Sequence, residues 1–212
     1  MTEARHKRIW VLFFKLYATF HLKRKFFDVR YHIEGNTLPK TSHGRPVLIV
    51  SNHFSFWDGF IHMLFVHKLF KKRIFIMMLQ EQLQRHPFLR YGGCFSVNRG
   101  RRDVVESLRY GCKVLEDKAN ALLIFPQGEV SSLYTANFRF MKGAAYLANN
   151  SPGSHVWMNV NLVNYFSQKK PLLNIYLKRF HGELSMLESE FNSFAQECRE
   201  KESPEVNGDK LI

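Results

Sequence analysis

The sequence predicts one α/β domain, built on a mostly parallel sheet of about seven strands with helices on both faces. Short apolar, β-rich runs alternate with longer helical stretches between residues 28 and 200, which is the pattern of βαβ units. The run 46–50 is continuously apolar, as a strand buried on both faces should be. A length of 212 residues is typical of a single core, so one active site is expected.

The predicted strands and helices follow this alternation in order. The strands cover 28–33, 46–50, 73–79, 94–97, 121–125, 156–163 and 172–180. The helices cover 57–70, 103–116, 140–149 and 186–200, with Asp103 as a helix cap and 81–89 as a helical or irregular connection. The domain is expected over 28–200 and a frayed tail over 201–212. Parallel sheets bind ligands beyond the carboxyl ends of their strands, so the polar segments after the strands are the candidate site.

An apolar segment precedes the domain and predicts an amphipathic helix within residues 1–27. It runs from Ile9 to Leu22 and would be about 21 Å long, which is shorter than the ~30 Å hydrocarbon core of a bilayer. Basic residues flank it on both sides, so we expect the helix to lie in the plane of a membrane interface. The alternative is a helix packed on the domain's own core. The expected membrane contacts are Trp10, Phe13, Phe14, Tyr17, Phe20, Lys23, Arg24 and Lys25.

Charge and cysteine content narrow the setting of the protein. The chain has 31 Lys and Arg against 18 Asp and Glu, a formal net charge of +13, which attracts nucleic acid, anionic lipid headgroups or acidic small molecules. Three cysteines without CxxC spacing indicate neither a disulfide framework nor a zinc site. A reducing, cytoplasmic setting is the natural interpretation. No histidine pair has the H-x3-H helical spacing or stands in an H-E-x-x-H motif, so neither a metal nor a cofactor is expected.

His53 and Asp58 are the candidate catalytic pair. They lie in the segment 51–58, SNHFSFWD, directly after the predicted strand 46–50. An imidazole with a pKa near ~6.5 accepts a hydroxyl proton near neutral pH. A carboxylate on its other nitrogen fixes the tautomer and stabilises the imidazolium. The His-x4-Asp spacing by itself carries little information, because a capping Asp beside a surface His matches it equally well.

Four motifs follow one another along the chain. Segment 52–58 reads N-H-x-S-x-x-D, segment 93–99 reads GCFSVNR, segment 125–129 reads FPQGE and segment 140–143 reads FMKG. In this order they resemble the glycerolipid acyltransferase family, of the bacterial lysophosphatidate acyltransferase type. The resemblance covers roughly residues 28–163. The third block departs from the family's usual Phe-Pro-Glu-Gly-Thr at Gln127 and Glu129.

The resemblance implies direct acyl transfer without a metal or a covalent acyl-enzyme. His53, oriented by Asp58, takes the proton of the acceptor hydroxyl while the oxygen attacks the thioester of acyl-CoA or acyl-carrier protein. Arg99 is expected to hold the acceptor's phosphate, since a guanidinium meets phosphate bidentately. The helix start near Asp58 and the backbone amides of 125–128 are expected to stabilise the oxyanion. The residues expected to bind substrate are Asn52, Ser55, Gly93, Arg99, Phe125, Pro126, Gln127, Gly128, Glu129 and Lys142.

The predicted function is a peripheral or monotopic O-acyltransferase on the cytoplasmic face of a membrane, acting on a lysophospholipid or another lipid acceptor. Gln127 lacks the charge of the usual Glu, which leaves a glycosyl or other non-phosphate lipid alcohol as an alternative acceptor. A hydrolase with Ser55 as nucleophile stays open, although the chain lacks the G-x-S-x-G elbow. A non-catalytic anionic-lipid or nucleic-acid binder would also explain the charge. The aromatic N-terminus favours lipid, so nucleic acid is not an expected partner.

Overall fold

The structure of the chain, a computed structural model, describes residues 1–35, 42, 44–98, 101–203 and 208–212. The strands are β1 (Asp28–Glu34), β2 (Val47–Ser51), β3 (Arg73–Leu79), β4 (Cys94–Val97), β5 (Asn120–Ile124), β6 (His155–Asn164), β7 (Leu172–Arg179) and β8 (Asp209–Lys210). The α-helices are α1 (Arg8–Lys25), α2 (Asp58–Phe65), α3 (Gln80–Arg85), α4 (Arg101–Val114), α5 (Gly143–Asn149) and α6 (Leu187–Lys201). A π-helical turn, Val66–Phe70, extends α2, and 3₁₀ turns cover Pro87–Gly92 and Leu184–Met186.

The strands form one sheet in the order β4-β3-β5-β2-β6-β7-β1-β8. Neighbouring strands are parallel except in the pairs β6–β7 and β1–β8. The prediction of a mostly parallel sheet is therefore confirmed, with eight strands in the described residues instead of about seven. Every residue of the central strands β2 and β5 is buried, as expected of strands covered on both faces.

The eighth strand corrects the prediction of a frayed C-terminal tail. Asp209–Lys210 pairs antiparallel with β1, and the Leu211 amide donates to the Val29 carbonyl at 2.9 Å. The Leu211 side chain is 5% exposed and belongs to the core. Backbone pairing and one buried leucine hold this segment, and neither produces a periodic pattern in so short a run.

The side chains of β2 divide the core between the two faces of the sheet. Val47 and Ile49 belong to the cluster that α1 and α2 cover. Leu48 and Val50 belong to the cluster that α4, α5 and α6 cover. This alternation is the two-residue period of a strand, and it places the predicted helical layers on both faces.

Strand direction brings several segments to one edge of the sheet. Since β2, β5 and β6 are parallel, their carboxyl ends lie at the same edge. Because β7 is antiparallel to β6 it begins at that edge, and so does β1, which is parallel to β7. The end of α1 and the β6–β7 turn therefore lie at the edge where β2 leads into the segment of His53.

Helix α1 presents apolar side chains on two faces. Phe14, Ala18 and Leu22 are buried in the core, and the Phe14 ring lies 6.0 Å from that of Phe60 in α2. Phe14 is thus a core residue, which corrects its prediction as a membrane contact, and Trp10 is partly buried against the same cluster. Packing on the domain's own core is confirmed for this face. The other face exposes Ile9, Leu12, Phe13, Leu16, Tyr17 and Phe20.

None of the helices in the described ranges is both long and apolar enough to cross a membrane.

Two helices begin elsewhere than predicted. α4 starts two residues before Asp103, which lies in its first turn and accepts a hydrogen bond from Asn98 Nδ2 at 2.9 Å. Asp103 therefore does not cap the helix. α5 starts only at Gly143, because the Met141 amide is drawn to the Pro126 carbonyl at 2.8 Å. Hydrogen bonds of these two kinds do not affect the spacing of apolar residues, so the sequence pattern could not predict these helix starts.

Gly93 leads into β4 with a backbone conformation that favours glycine. Its φ is +107°, and a Cβ would lie 2.2 Å from the Ile74 carbonyl oxygen and 2.6 Å from His6 Nε2. The N-terminal residues run beside β4 at this point, where the Ser96 amide donates to the Thr2 carbonyl at 2.9 Å. Gly93 is buried and serves this close packing, which corrects its prediction as a substrate contact.

We expect Gly93→Ala to destabilise the fold by at least about 2 kcal/mol, since positive φ is costly for an L residue and the methyl overlap adds to that cost. Urea unfolding measures the change. Gly153→Ala is the matched control, because a Cβ there meets nothing within 4 Å, and we expect a change under about 0.5 kcal/mol. Equal losses at the two positions would contradict the packing role of Gly93.

Candidate active site

His53 and Asp58 lie in hydrogen-bond contact where β2 ends and α2 begins. His53 Nδ1 is 2.6 Å from Asp58 Oδ2. Because a carboxylate only accepts hydrogen bonds, Nδ1 is the nitrogen that carries the proton. The neutral ring then keeps its lone pair on Nε2. The pair predicted from the His-x4-Asp spacing is therefore brought together in the geometry that a general base requires.

The Asp58 carboxylate is fully buried and is held by the loop that precedes it. Oδ2 accepts the amides of Phe54 and Ser55 at 2.8 and 3.0 Å in addition to the imidazole. Oδ1 accepts the Ser55 hydroxyl at 2.9 Å. Asp58 is also the first residue of α2, where the positive end of the helix dipole favours an anion. These donors offset the cost of taking the carboxylate out of water.

The imidazole of His53 is held flat against an aromatic ring while one edge stays open. Its ring stacks on Phe125 with centroids 4.1 Å apart and planes 15° from parallel. The His53 side chain is 22% exposed. In the described part of the chain its ring is hydrogen-bonded through Nδ1 alone, which leaves Nε2 for a substrate. Phe125, which the sequence predicted as a substrate contact, stacks on the imidazole and sets its plane.

A second set of hydrogen bonds joins the backbone of His53 to the third block, segment 125–129, and to Ser131. Gln127 Oε1 accepts the His53 amide at 3.0 Å, and Gln127 Nε2 donates to the Ser131 hydroxyl at 2.6 Å. The Ser131 amide in turn donates to the His53 carbonyl at 2.8 Å. Both ends of the Gln127 amide are therefore used inside the protein. Ser131 was not among the predicted residues, because a serine in a polar loop carries no distinctive signal.

Asn52 is directed into the sheet and away from the candidate site. Its side chain is buried, its Nδ2 donates to the Asn161 carbonyl at 2.9 Å, and its Oδ1 accepts the Asn161 amide at 2.8 Å. The neighbouring Ser51 hydroxyl donates to Asn159 Oδ1 at 2.8 Å. Asn52 thus ties the loop to β6, which corrects its prediction as a substrate contact.

The remaining predicted substrate contacts differ in their surroundings. The Ser55 hydroxyl supports the loop, since it donates to Asp58 and accepts the Trp57 amide at 3.2 Å. The Gly128 amide donates to the Phe125 carbonyl at 3.0 Å. It is therefore not free to stabilise an oxyanion, which is the role that the sequence had suggested for it. Pro126 is buried, Glu129 and Lys142 are exposed, and Arg99 lies outside the described residues.

His62 lies beneath the pair and was missed by the sequence analysis. It is fully buried one helical turn after Asp58, and its Nδ1 is 2.6 Å from the Asp58 carbonyl oxygen. Burial lowers the pKa of His62 to about 4, although the bond to the Asp58 carbonyl acts in the opposite direction. Its ring meets Phe125 edge-on at 5.6 Å. The i, i+4 spacing from Asp58 was the available signal.

Aromatic side chains surround the mouth of the loop. Phe56, between His53 and Asp58, is 52% exposed and lies 5.5 Å from the His86 ring. Trp57 stacks on Tyr17 of α1 at 6.0 Å. The exposed face of α1 is therefore a close neighbour of the loop 51–58.

Within the ranges that the structure describes, no group of three His, Cys, Asp or Glu side chains is arranged to hold a metal ion.

Known proteins match the chain in family and in fold. The family described as Acyltransferase matches residues 29–161. The crystal structure of the 1-acyl-sn-glycerophosphate (LPA) acyltransferase PlsC from Thermotoga maritima is similar, with a TM-score of 0.56 and 17% sequence identity. The match covers 91% of this chain and 81% of that chain, and at this identity it shows the fold. No curated protein sequence matches the chain significantly.

We expect the stability contributed by His62 to fall as the pH drops from about 6.5 towards about 4. In that window His62 is protonated in the unfolded chain. It stays neutral in the folded chain, because burial lowers its pKa to about 4. At pH 5 the free energy of unfolding is therefore expected to be about 2 kcal/mol lower than at pH 7 through this residue. His62→Asn keeps a donor at the δ position without titrating. Urea unfolding should show the wild-type advantage shrinking at pH 5, and a difference that is constant with pH would contradict this.

Proposed function

Because the chain belongs to the acyltransferase family, we propose that it moves a fatty acyl group from acyl-CoA or acyl-carrier protein to a hydroxyl group of a lipid. The observation that carries this proposal is the 2.6 Å contact between His53 Nδ1 and Asp58 Oδ2 at the carboxyl end of β2. His53 is the proposed general base, and Asp58 is the carboxylate that orients it.

The proposed reaction is a single displacement. Nε2 of His53 takes the hydroxyl proton of the acceptor while the hydroxyl oxygen bonds to the thioester carbonyl carbon. The carbon–sulfur bond then breaks, and the leaving thiolate takes the proton from the imidazolium, which returns His53 to its neutral form. Asp58 stabilises the positive charge on the ring between these two proton transfers.

A covalent acyl-enzyme on Ser55 is not part of the proposal. The Ser55 hydroxyl donates to Asp58 Oδ1 at 2.9 Å, so its proton is directed to the carboxylate and not to His53. A serine nucleophile needs the opposite arrangement, in which the base accepts the hydroxyl proton. The bonding of Ser55 supports a role in shaping the loop.

A lysophospholipid is the proposed acceptor, and a neutral lipid alcohol is the second candidate. The similar structure from Thermotoga maritima is described as a 1-acyl-sn-glycerophosphate acyltransferase, which favours the first. Gln127 favours the second, because its amide donates to Ser131 and accepts from His53. A glutamate there could only accept. The Gln127 side chain therefore holds the loop through both of these bonds, and it carries no charge that could contact an acceptor.

The proposed place of reaction is the surface of a membrane. The exposed face of α1 carries six large apolar side chains, and Lys23, Arg24 and Lys25 follow in its last turn. Apolar residues at acyl-chain depth and cations at headgroup depth are the combination that holds an in-plane helix. The cytoplasmic face is the proposed side, because all three cysteines are free thiols, as in a reducing compartment.

We expect His53→Ala to reduce transfer by about 10²- to 10⁴-fold, the usual contribution of a general base, with little change in melting temperature. Asp58→Asn should lower kcat similarly, because it removes the charge that stabilises the imidazolium and puts an NH2 donor where one carboxylate oxygen accepts hydrogen bonds. Transfer of radiolabelled acyl groups to lysophosphatidate and to monoacylglycerol measures both. Faster transfer to lysophosphatidate is the expected preference, and the reverse would favour the neutral acceptor.

His181→Ala is the matched control for this experiment. His181 is exposed and follows β7, which ends at the edge of the sheet opposite to His53. We expect wild-type rates from this variant. A folded His53→Ala protein that retained full transfer would exclude the proposed base.

We expect the combined substitution of Leu12, Leu16 and Phe20 by Ser to abolish flotation of the protein with anionic vesicles, because it removes the apolar face of α1. The control substitutes Val105 and Met186, two exposed apolar residues on the other face of the sheet, by Ser. Flotation that is unchanged in the α1 variant would reject the membrane contact of this helix.

A further inference from the structure

The turn between β6 and β7 exposes two aromatic rings and two cations that no step of the proposed reaction uses. Tyr165 is 60% exposed and Phe166 is 39% exposed. Lys169 and Lys170 are exposed in the same turn. Aromatic rings beside lysines are the composition of a protein surface that meets a membrane interface.

The backbone holds Phe166 in a conformation that is uncommon for its type. Its φ is +46°, in the left-handed region that glycine and asparagine adopt most readily. The Gln168 amide closes the turn on the Tyr165 carbonyl at 2.8 Å. Among the described residues Phe166 belongs to neither apolar cluster of the core. An aromatic residue that is exposed, lies outside both apolar clusters and occupies a position suited to Gly or Asn points to a role outside the fold.

The turn is continuous with the exposed face of α1. Lys23, Phe26 and Phe27 line one surface depression together with residues 167–170. The Phe27 amide donates to the Pro171 carbonyl at 2.8 Å, so the end of α1 is bonded to the base of the turn. Positions 9, 13, 16, 20 and 23 follow one another at helical spacing. The apolar stripe of α1 therefore leads towards this depression.

The base of the turn is rigidly held while its tip is exposed. Asn164 Nδ2 donates to Glu202 Oε2 at 2.5 Å, and Glu202 Oε1 accepts from Asn174 and from the Tyr176 hydroxyl. These bonds join the two strands on either side of the turn to the end of α6. Because both strands are anchored in this way, the exposed rings of Tyr165 and Phe166 lie at the same edge of the sheet as His53.

We propose that the β6–β7 turn is a second membrane contact, which places Tyr165 and Phe166 in the interface of a bilayer and Lys169 and Lys170 against anionic headgroups. The inference rests on the proposed function at a membrane surface. With α1 it gives two points of attachment on the His53 edge of the sheet. An acidic carrier protein could also pair with the charges of the two lysines, but the exposed aromatic rings beside them favour a lipid surface.

Flotation with phosphatidylcholine vesicles and with mixed phosphatidylcholine and phosphatidylglycerol vesicles tests the turn in the full chain. Phe166→Asn suits the left-handed backbone, so we expect an unchanged or higher melting temperature together with about three- to tenfold weaker binding to the mixed vesicles. Lys169→Gln with Lys170→Gln should weaken binding to mixed vesicles about fivefold for each charge and leave the weak binding to phosphatidylcholine unchanged.

Lys113→Gln is the charge control, because Lys113 is exposed on α4 on the other face of the sheet, and Met186→Ser is the apolar control, because Met186 is 50% exposed in the turn that precedes α6. Both should float as the wild type does. Phe166→Asn with wild-type flotation would overturn the inference. So would a lower melting temperature of this variant, which would make the ring part of the fold.

Three further results separate this inference from the proposed function. If the α1 variant loses flotation and the turn variants do not, the membrane function stands and the turn is not part of it. If the lysine variants float normally but react more slowly with acyl-carrier protein than with acyl-CoA, the turn binds a protein donor and the inference is wrong. Wild-type protein that does not float at all, while transferring acyl groups to detergent-dispersed acceptor, would reject the membrane contacts and keep the enzyme.

Discussion

The hydrogen bond between His53 and Asp58 depends on a carboxylate that has been removed from water. Asp58 is fully buried, and its oxygens accept four hydrogen bonds, which offset the cost of burying the charge. Three of the four donors are groups of Phe54 and Ser55 in the loop between the two residues. The carboxylate therefore shapes the loop, and the loop in turn positions the carboxylate.

Three side chains hold this loop, two of them amides and one an imidazole, and each bonds to backbone groups. Asn52 joins it to β6, Gln127 joins it to the third block, and His62 bonds to the carbonyl of Asp58 from within α2. Gln127 also donates to the Ser131 hydroxyl, which a glutamate at this position could not do. A change at this position therefore alters the loop that holds His53.

The sequence predicted best those features that depend on burial. β2 and β5 were recognisable because strands covered on both faces are continuously apolar, and the order of motifs located the loop. Asn52 was misassigned, because the same amide can bind a substrate or a strand, and only its distance to Asn161 distinguishes them. β8 was missed since a pair of polar residues held by backbone bonds has no pattern. Phe14 and Phe13 are adjacent and equally apolar, yet the rotation of α1 buries one and exposes the other.

The single antiparallel pair within the body of the sheet has a consequence for the site. A parallel crossover after β6 would carry the chain away from the edge where β2 ends, whereas the reversal into β7 returns it at once. The turn and the start of β1 consequently lie at the edge of the sheet where β2 leads into His53, and α1, which precedes β1, ends at that edge. Trp57 stacks on Tyr17 for the same reason. Under the proposed function the lipid acceptor resides in a bilayer, and this topology brings the end of α1 and the β6–β7 turn to the same edge of the sheet as the proposed base.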